Sequence, residues 1–255
     1  MTAAAPGWRL PPIAFGIGTI VFAFAIVEAL IRTDVISQYV MPTPSEVLLS
    51  FGRVISEEDI PHRFLATAGE CLAAGALMTV FGVSLGVALH RFHLFRAATE
   101  TWVAAFAAAP LVLAYPLFLV IFGRSAWTII MIGFLAGLAP VALKTLEGLS
   151  GVRPALLNVG RSYRLTPAQL FWKVLFPAAV PTIFVGLRLG LIFALINVVG
   201  VEFLINFGGL GQLINELAER YDLPGTYAAI TFVILVSVVF FIALEGIERW
   251  LRPAS

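Results

Sequence analysis

Charge is what this chain has least of. Only 12% of its 255 residues are Asp, Glu, Lys or Arg, about half the share of an average soluble domain. The 16 basic and 15 acidic residues nearly cancel to a net charge of +1, and no basic run is interleaved with aromatics. That excludes a nucleic-acid surface. Cysteine is almost missing as well. Cys71 stands alone in an apolar stretch, which excludes an intrachain disulfide and any cysteine-built metal site and leaves a small core residue. The only lysines are Lys144 and Lys173, preceded by Leu143 and Trp172. The Gly-Lys-Ser/Thr of a phosphate-binding loop is therefore absent, and no cofactor is expected on this chain.

What fills the space is apolar. Hydrophobic residues make up 60% of the sequence and the mean hydropathy is +0.98, the composition of a polytopic membrane protein. Six segments reach the roughly 20 apolar residues that a spanning helix needs: 13–31, 64–89, 102–122, 126–146, 180–204 and 226–247. Met1 to Pro12 is too short and too weakly basic for a signal peptide, so 13–31 reads as a retained first span. Pro110 and Pro116 are expected to bend the third span. The whole reads as one all-α transmembrane domain over residues 1–255.

Basic residues orient it. With six spans both termini share a side, and that side holds Arg9, Arg91, Arg96, Lys144, Arg153, Arg161, Arg164, Lys173, Arg188, Arg249 and Arg252. The other holds Arg32, Arg53, Arg63, Arg124 and Arg220, so the count is 11 against 5. The positive-inside rule puts both termini and the 147–179 loop in the cytoplasm. Outside, Thr43-Pro44-Ser45-Glu46 is a capping box, and Val47, Leu48, Phe51, Val54 and Ile55 recur at helical spacing. An amphipathic helix over 44–56 lying on the outer membrane face is expected. Residues 206–225 read as a structured outer loop, with a short helix between glycine-rich ends.

The segment Asn158 to Pro177 is a polar, twice-basic interruption between two long apolar stretches. Pro154 starts one short helix, with Leu156, Val159, Gly160 and Tyr163 on one face. Thr166-Pro167-Ala168-Gln169 is a second capping box starting another helix, which Pro177 is expected to stop. Such a hairpin either plugs a groove on a soluble partner or packs on lipid headgroups through Arg161, Arg164, Trp172 and Lys173; spacing alone does not choose.

The segment resembles the cytoplasmic signature of binding-protein-dependent ABC importer permeases: Glu-Ala-Ala, three residues, Gly, nine residues, Ile-x-Leu-Pro. Asn158-Val159-Gly160 stands at Glu-Ala-Ala, Arg164 at the glycine and Val174-Leu175-Phe176-Pro177 at the end, with every interval kept. Met41-Pro-Thr-Pro-Ser-Glu-Val47, Pro177-Ala-Ala-Val-Pro181 and Gly208-Gly-Leu-Gly211 are similar to the subfamily that imports sulfonates, taurine and nitrate. The resemblance implies a type I importer permease fold with cytoplasmic coupling helices between spans 4 and 5, in a bacterial inner membrane. It also implies a second copy of the chain, two ATPase subunits carrying ATP and Mg, and a periplasmic or lipid-anchored binding protein. Docking to the ATPase would fall to Asn158, Val159, Gly160, Arg161, Ser162, Tyr163, Arg164, Leu165 and Thr166, within a hairpin of about 150–177. Asn158 and Arg164 depart from the family's glutamate and glycine. Where the glycine would sit in a left-handed turn, arginine costs about 1 kcal/mol, so either the turn is rebuilt or Arg164 adds a contact.

Gly82-Val-Ser84-Leu-Gly86 matches a serine-nucleophile pattern, the one hint of a membrane-embedded enzyme. Its required base is missing, since His62, His90 and His93 fall at or outside span ends. The same glycines read better as a close-packing stripe, repeated at Gly133–Gly137 and Gly186–Gly190. Charges inside spans are functional suspects. Glu28, Glu70 and Glu202 lie near outer ends, within reach of water. Arg188, two turns into the fifth span, either snorkels or pairs. Asn197, Glu202 and Arg188 are the expected pathway residues, for a cargo that is a small anion or, alternatively, a vitamin precursor or aromatic acid.

Overall fold

A computed structural model describes residues 12–251. Arg9 and Arg252, which count toward the basic side, lie outside the described residues, as does nearly all of the Met1 to Pro12 segment. Among the described residues there is no strand, and the helices are α1 (Pro12–Arg32), α2 (Pro44–Glu57), α3 (Ile60–Arg91), α4 (His93–Ala107), α5 (Tyr115–Phe122), α6 (Ala126–Ser150), α7 (Pro154–Ser162), α8 (Pro167–Leu170), α9 (Phe176–Ile205), α10 (Leu210–Glu219) and α11 (Leu223–Leu251). Five helical stretches are long and apolar enough to cross a membrane, or six if the bent α4–α5 pair counts as one.

The core is a three-helix contact of α3, α6 and α9, with α6 at its centre. Its most apolar window is 56% buried, against 33% for the window in α3 and 28% for that in the stretch containing α9. Small residues make this possible. A Cβ on Gly86 would stand 2.5 Å from the Ala142 carbonyl and from Cβ of Thr145, and one on Gly133 would stand 2.9 Å from Val198. The Met78 sulfur packs into the gap between Gly137 and Gly190, where a Cβ on Gly190 would meet it at 2.8 Å. Each glycine pair of the sequence therefore serves close approach of backbones, as its spacing implies.

Two proline expectations need correcting. The 102–122 span is not one bent helix: α4 ends at Ala107, a 3₁₀ turn covers Leu111–Ala114, and α5 leaves at 91° to α4. Pro110 explains the break, because it offers no N–H and pushes Ala109 out of the helical region. Pro116 bends nothing; it occupies the first turn of α5, where no donor is needed. Pro177 likewise does not stop a helix. A π-turn at Phe171–Leu175, with the Phe176 N–H reaching back five residues to the Phe171 carbonyl, carries α8 into α9. The wider turn gives the proline ring room, and Pro177 falls at the start of α9.

One end of the bundle is built by α2, α10 and the start of α11. The capping box of α2 is present, with Thr43 accepting from the Glu46 N–H and Glu46 accepting from the Thr43 N–H. Val54, Ile60, Leu213 and Leu217 pack with Ala228 and Ala229, and Val47 and Phe51 lie against them. Leu48 and Leu49 face outward. Ion pairs link the pieces: Arg63–Glu216 at 2.7 Å, Arg220–Glu58 at 2.8 Å and Arg53–Asp222. The bond to Asp222 holds the Arg53 guanidinium above its usual pKa. α1 stands apart, with most of its apolar side chains exposed. It is tied to α2 by Glu28, which accepts from the Ser45 N–H and hydroxyl.

The packing predicts an asymmetric pair of substitutions on one helix. Gly86→Ala drives a methyl into the α6 backbone and should cost about 1–3 kcal/mol. Gly69→Ala, with nothing within 4 Å, should be neutral or stabilising by about 1 kcal/mol. Thermal unfolding of the two variants in detergent checks this.

Candidate functional site

The hairpin lies at the opposite end from α10, next to the junction of α3 and α6, where His90 Nδ1 is 3.3 Å from Ser150 Oγ. α7 ends in a complete Schellman motif. The Leu165 N–H donates to the Gly160 carbonyl at 3.2 Å and the Arg164 N–H to the Arg161 carbonyl at 2.8 Å. Arg164 has φ +54°. The left-handed turn is therefore kept, not rebuilt, and a non-glycine residue carries its cost. The second capping box is present, with Thr166 accepting from the Gln169 N–H. Gly160 is buried, and a Cβ there would stand 2.5 Å from Leu170 and 3.4 Å from Val174, so it seats α7 on the start of the long helix behind it. Of the α7 face expected from the sequence, Leu156, Val159 and Tyr163 point outward, the last two 55% and 79% exposed. Asn158 is exposed and accepts from Arg161 at 3.3 Å. The hairpin thus presents an apolar stripe flanked by Arg161, Ser162 and Arg164, on a base fixed by buried contacts.

The expected pathway residues do not come together. Asn197 lines a trough of about 610 Å³ formed by the break between α4 and α5, Ala136 of α6, and Phe193, Ile196 and Gly200 of α9. Asn197 is its one polar side chain among the described residues; its amide nitrogen donates back to the Phe193 carbonyl at 2.8 Å, leaving the oxygen as an acceptor. Pro140 removes the usual donor for the Ala136 carbonyl in the same wall. Arg188 instead pairs with Glu248 of α11 at 2.7 Å, with its guanidinium 5.4 Å from the Phe241 ring centre. It pairs within the bundle and does not snorkel.

Glu202 and Glu70 are both buried, not at the exposed outer ends that their positions suggest. Glu202 is 0% exposed and Glu70 7%. Glu202 accepts from the Thr67 hydroxyl and from the Gly211 N–H, both at 2.7 Å, and Thr67 Oγ1 accepts from the Leu210 N–H at 2.9 Å. Gly209 and Gly211 allow that approach: a Cβ on either would lie within 2.8 Å of a Glu202 side-chain atom. The sequence reading missed Thr67 as the partner, 135 residues away, and Glu248 as the partner of Arg188. Gly208-Gly-Leu-Gly211 was the available signal for the first. The ion pair left no local trace.

A protein-family model described as "Binding-protein-dependent transport system inner membrane component" matches residues 78–254. The chain is 26% identical over 258 residues to the taurine transport system permease protein TauC of Escherichia coli (strain K12), covering 96% of this chain and 92% of that one. It is 25% identical over 238 residues to the formylaminopyrimidine transport permease protein ThiX of Halalkalibacterium halodurans, covering 92% and 94%. A chain of the MetNI methionine ABC transporter, in an inward-facing conformation, shares its fold with a TM-score of 0.65 at 19% identity, covering 76% of this chain and 96% of that one.

The left-handed Arg164 generates a prediction. Arg164→Gly removes the conformational cost of φ +54° and should raise stability by up to about 1 kcal/mol, read as an upward shift of the thermal midpoint by a few degrees.

Proposed function

The chain belongs to the family of binding-protein-dependent transport system inner membrane components, and on that premise we propose that it imports a small anion, a sulfonate such as taurine first among them. It is the permease subunit of an ABC importer, with the type I permease fold. In the proposed assembly two copies face each other across their troughs, a single trough being open on one side and offering half a pathway. The observation that carries the reading is that open trough at the helix break, with Asn197 as its single polar side chain among the described residues.

The hairpin supplies the coupling in this reading. Its exposed Leu156, Val159 and Tyr163 enter a cleft of a separate ATPase subunit, which holds ATP and Mg; Arg161 and Arg164 flank the entry. The basic excess then marks the hairpin end as cytoplasmic. Substrate arrives at the α2–α10 end from a periplasmic or lipid-anchored binding protein.

Likeness to a taurine permease over nearly the whole length supports a sulfonate. Arg188 adds nothing to that choice, because Glu248 neutralises it. A vitamin precursor is the second reading, favoured by nearly equal likeness to a formylaminopyrimidine permease.

Reconstitution with a candidate ATPase and binding protein from the same organism separates these. Taurine or another sulfonate should stimulate ATP hydrolysis at least about tenfold more than an aminopyrimidine vitamin precursor does; the reverse order selects the second reading. Val159→Ser with Tyr163→Ser should abolish co-purification of the ATPase while membrane insertion persists, and retention of the ATPase rejects the docking assignment. Asn197→Leu should lower transport with the ATPase still bound.

A further inference from the structure

Two acids meet where α3, α9 and α10 join. Glu70 Oε1 and Glu202 Cγ lie 3.4 and 3.6 Å from the point where Gly208 would carry a Cβ, so the two side chains meet at one place. Both are buried. Their environments differ. Each oxygen of Glu202 accepts a hydrogen bond, one from Thr67 and one from Gly211. Glu70 Oε2 is sealed from solvent and has no partner among the described residues.

Among the described residues no cation is paired with either acid. On α3, Arg63 is bound to Glu216 of α10 and to the Glu58 carbonyl, and His62 is exposed. Arg124, before α6, donates to the Asn206 carbonyl. α6 carries no titratable side chain before Lys144, α9 none between Arg188 and Glu202, and on α11 the nearest is Tyr227.

We infer that Glu70 and Glu202 form a proton-binding site: Glu70 keeps its proton and donates it to an ionised Glu202. An ionised carboxylate is an acceptor only; Glu202 already accepts from two donors and is the anion, while Glu70, with a buried oxygen that no donor meets, is the one that a proton suits. Two buried like charges in contact would repel. The proton therefore holds α10 against α3 and α9 through Glu202, Thr67 and the Leu210 and Gly211 N–H groups. Losing it places a second negative charge under the glycine-rich start of α10 and loosens that strap. This site is independent of the cargo and of the trough.

Glu70→Gln and Glu202→Gln test the assignment through opposite outcomes. A glutamine at 70 still donates to Glu202, whereas one at 202 turns an N–H₂ toward Gly211 or Thr67. A proton bound only by the folded protein makes stability fall as pH rises. The wild-type thermal midpoint should drop between pH 6 and pH 9. Glu70→Gln should unfold no earlier than wild type and lose most of that drop, and Glu202→Gln should unfold earlier at every pH. The infrared carbonyl stretch of a protonated carboxylic acid should be present in wild type and absent in Glu70→Gln. The inference is overturned if wild type shows no such band, if Glu70→Gln keeps it, or if the two variants are equally destabilised. A midpoint set by sodium concentration instead of pH would also overturn it, in favour of a bound cation.

Discussion

Everything in this molecule hangs on how closely α6 approaches α3 and α9. In a membrane there is no hydrophobic drive to bring helices together, because lipid tails are as apolar as leucine; what remains is dispersion contact between well-fitted surfaces and the few polar bonds that close approach permits. Gly86, Gly133, Gly137 and Gly190 remove the side chains that would hold the backbones apart, and Met78, unbranched and polarizable, fills the space left between Gly137 and Gly190. With the three helices locked, their neighbours are free to be irregular. α4 can break, α8 can widen into a π-turn and α1 can stand at the periphery without threatening the core.

Irregular backbone at membrane depth is tolerated only where protein or water covers it. The break between α4 and α5 obeys that rule, since it opens onto the trough shared with α9 and α6. At the π-turn the aromatic side chains pack on one another, with Phe171 5.1 Å from Trp172 and 5.8 Å from Phe176 between ring centres. The irregular positions are thus the ones at which this chain departs from a plain bundle, and they coincide with the trough and with the base of the hairpin.

What the sequence made legible follows from the range of the interactions involved. Capping boxes at Thr43 and Thr166 depend on atoms three residues apart, and both formed as their letters imply. The amphipathic α2 and the short α10 are likewise local patterns. Hydropathy averaged over 102–122 hid the break, because Ala107-Ala108-Ala109 is as apolar as a helix interior and one proline does not change the mean. Pro177 was misjudged because a proline is compatible with a helix once a π-turn precedes it, and that turn has no residue signature of its own. The left-handed position of Arg164 became visible only by alignment with a family glycine. The Glu202–Thr67 bond joins residues 135 apart, and no periodicity can announce it.

One helix connects all the features to which function is assigned. α9 has 30 residues, about 45 Å at 1.5 Å per residue. At one end the π-turn, which contains Val174, joins it to Leu170, and on these two residues Gly160 seats the hairpin. Asn197 projects from it toward the trough, and Glu202, one to two turns further, holds α10. A helix of this length, packed along α6, moves as a unit more readily than it bends, because its hydrogen-bond ladder is continuous past Pro181 to Ile205 save for the one donor that proline lacks. At its base the π-turn, with the Phe176 N–H bonded to the Phe171 carbonyl, joins it to the hairpin. In the proposed assembly, displacement of α7 by the ATPase would act along this helix toward the wall of the trough and the strap beyond it. That route consists of packed side chains and one rigid element, and it requires no long-range electrostatics.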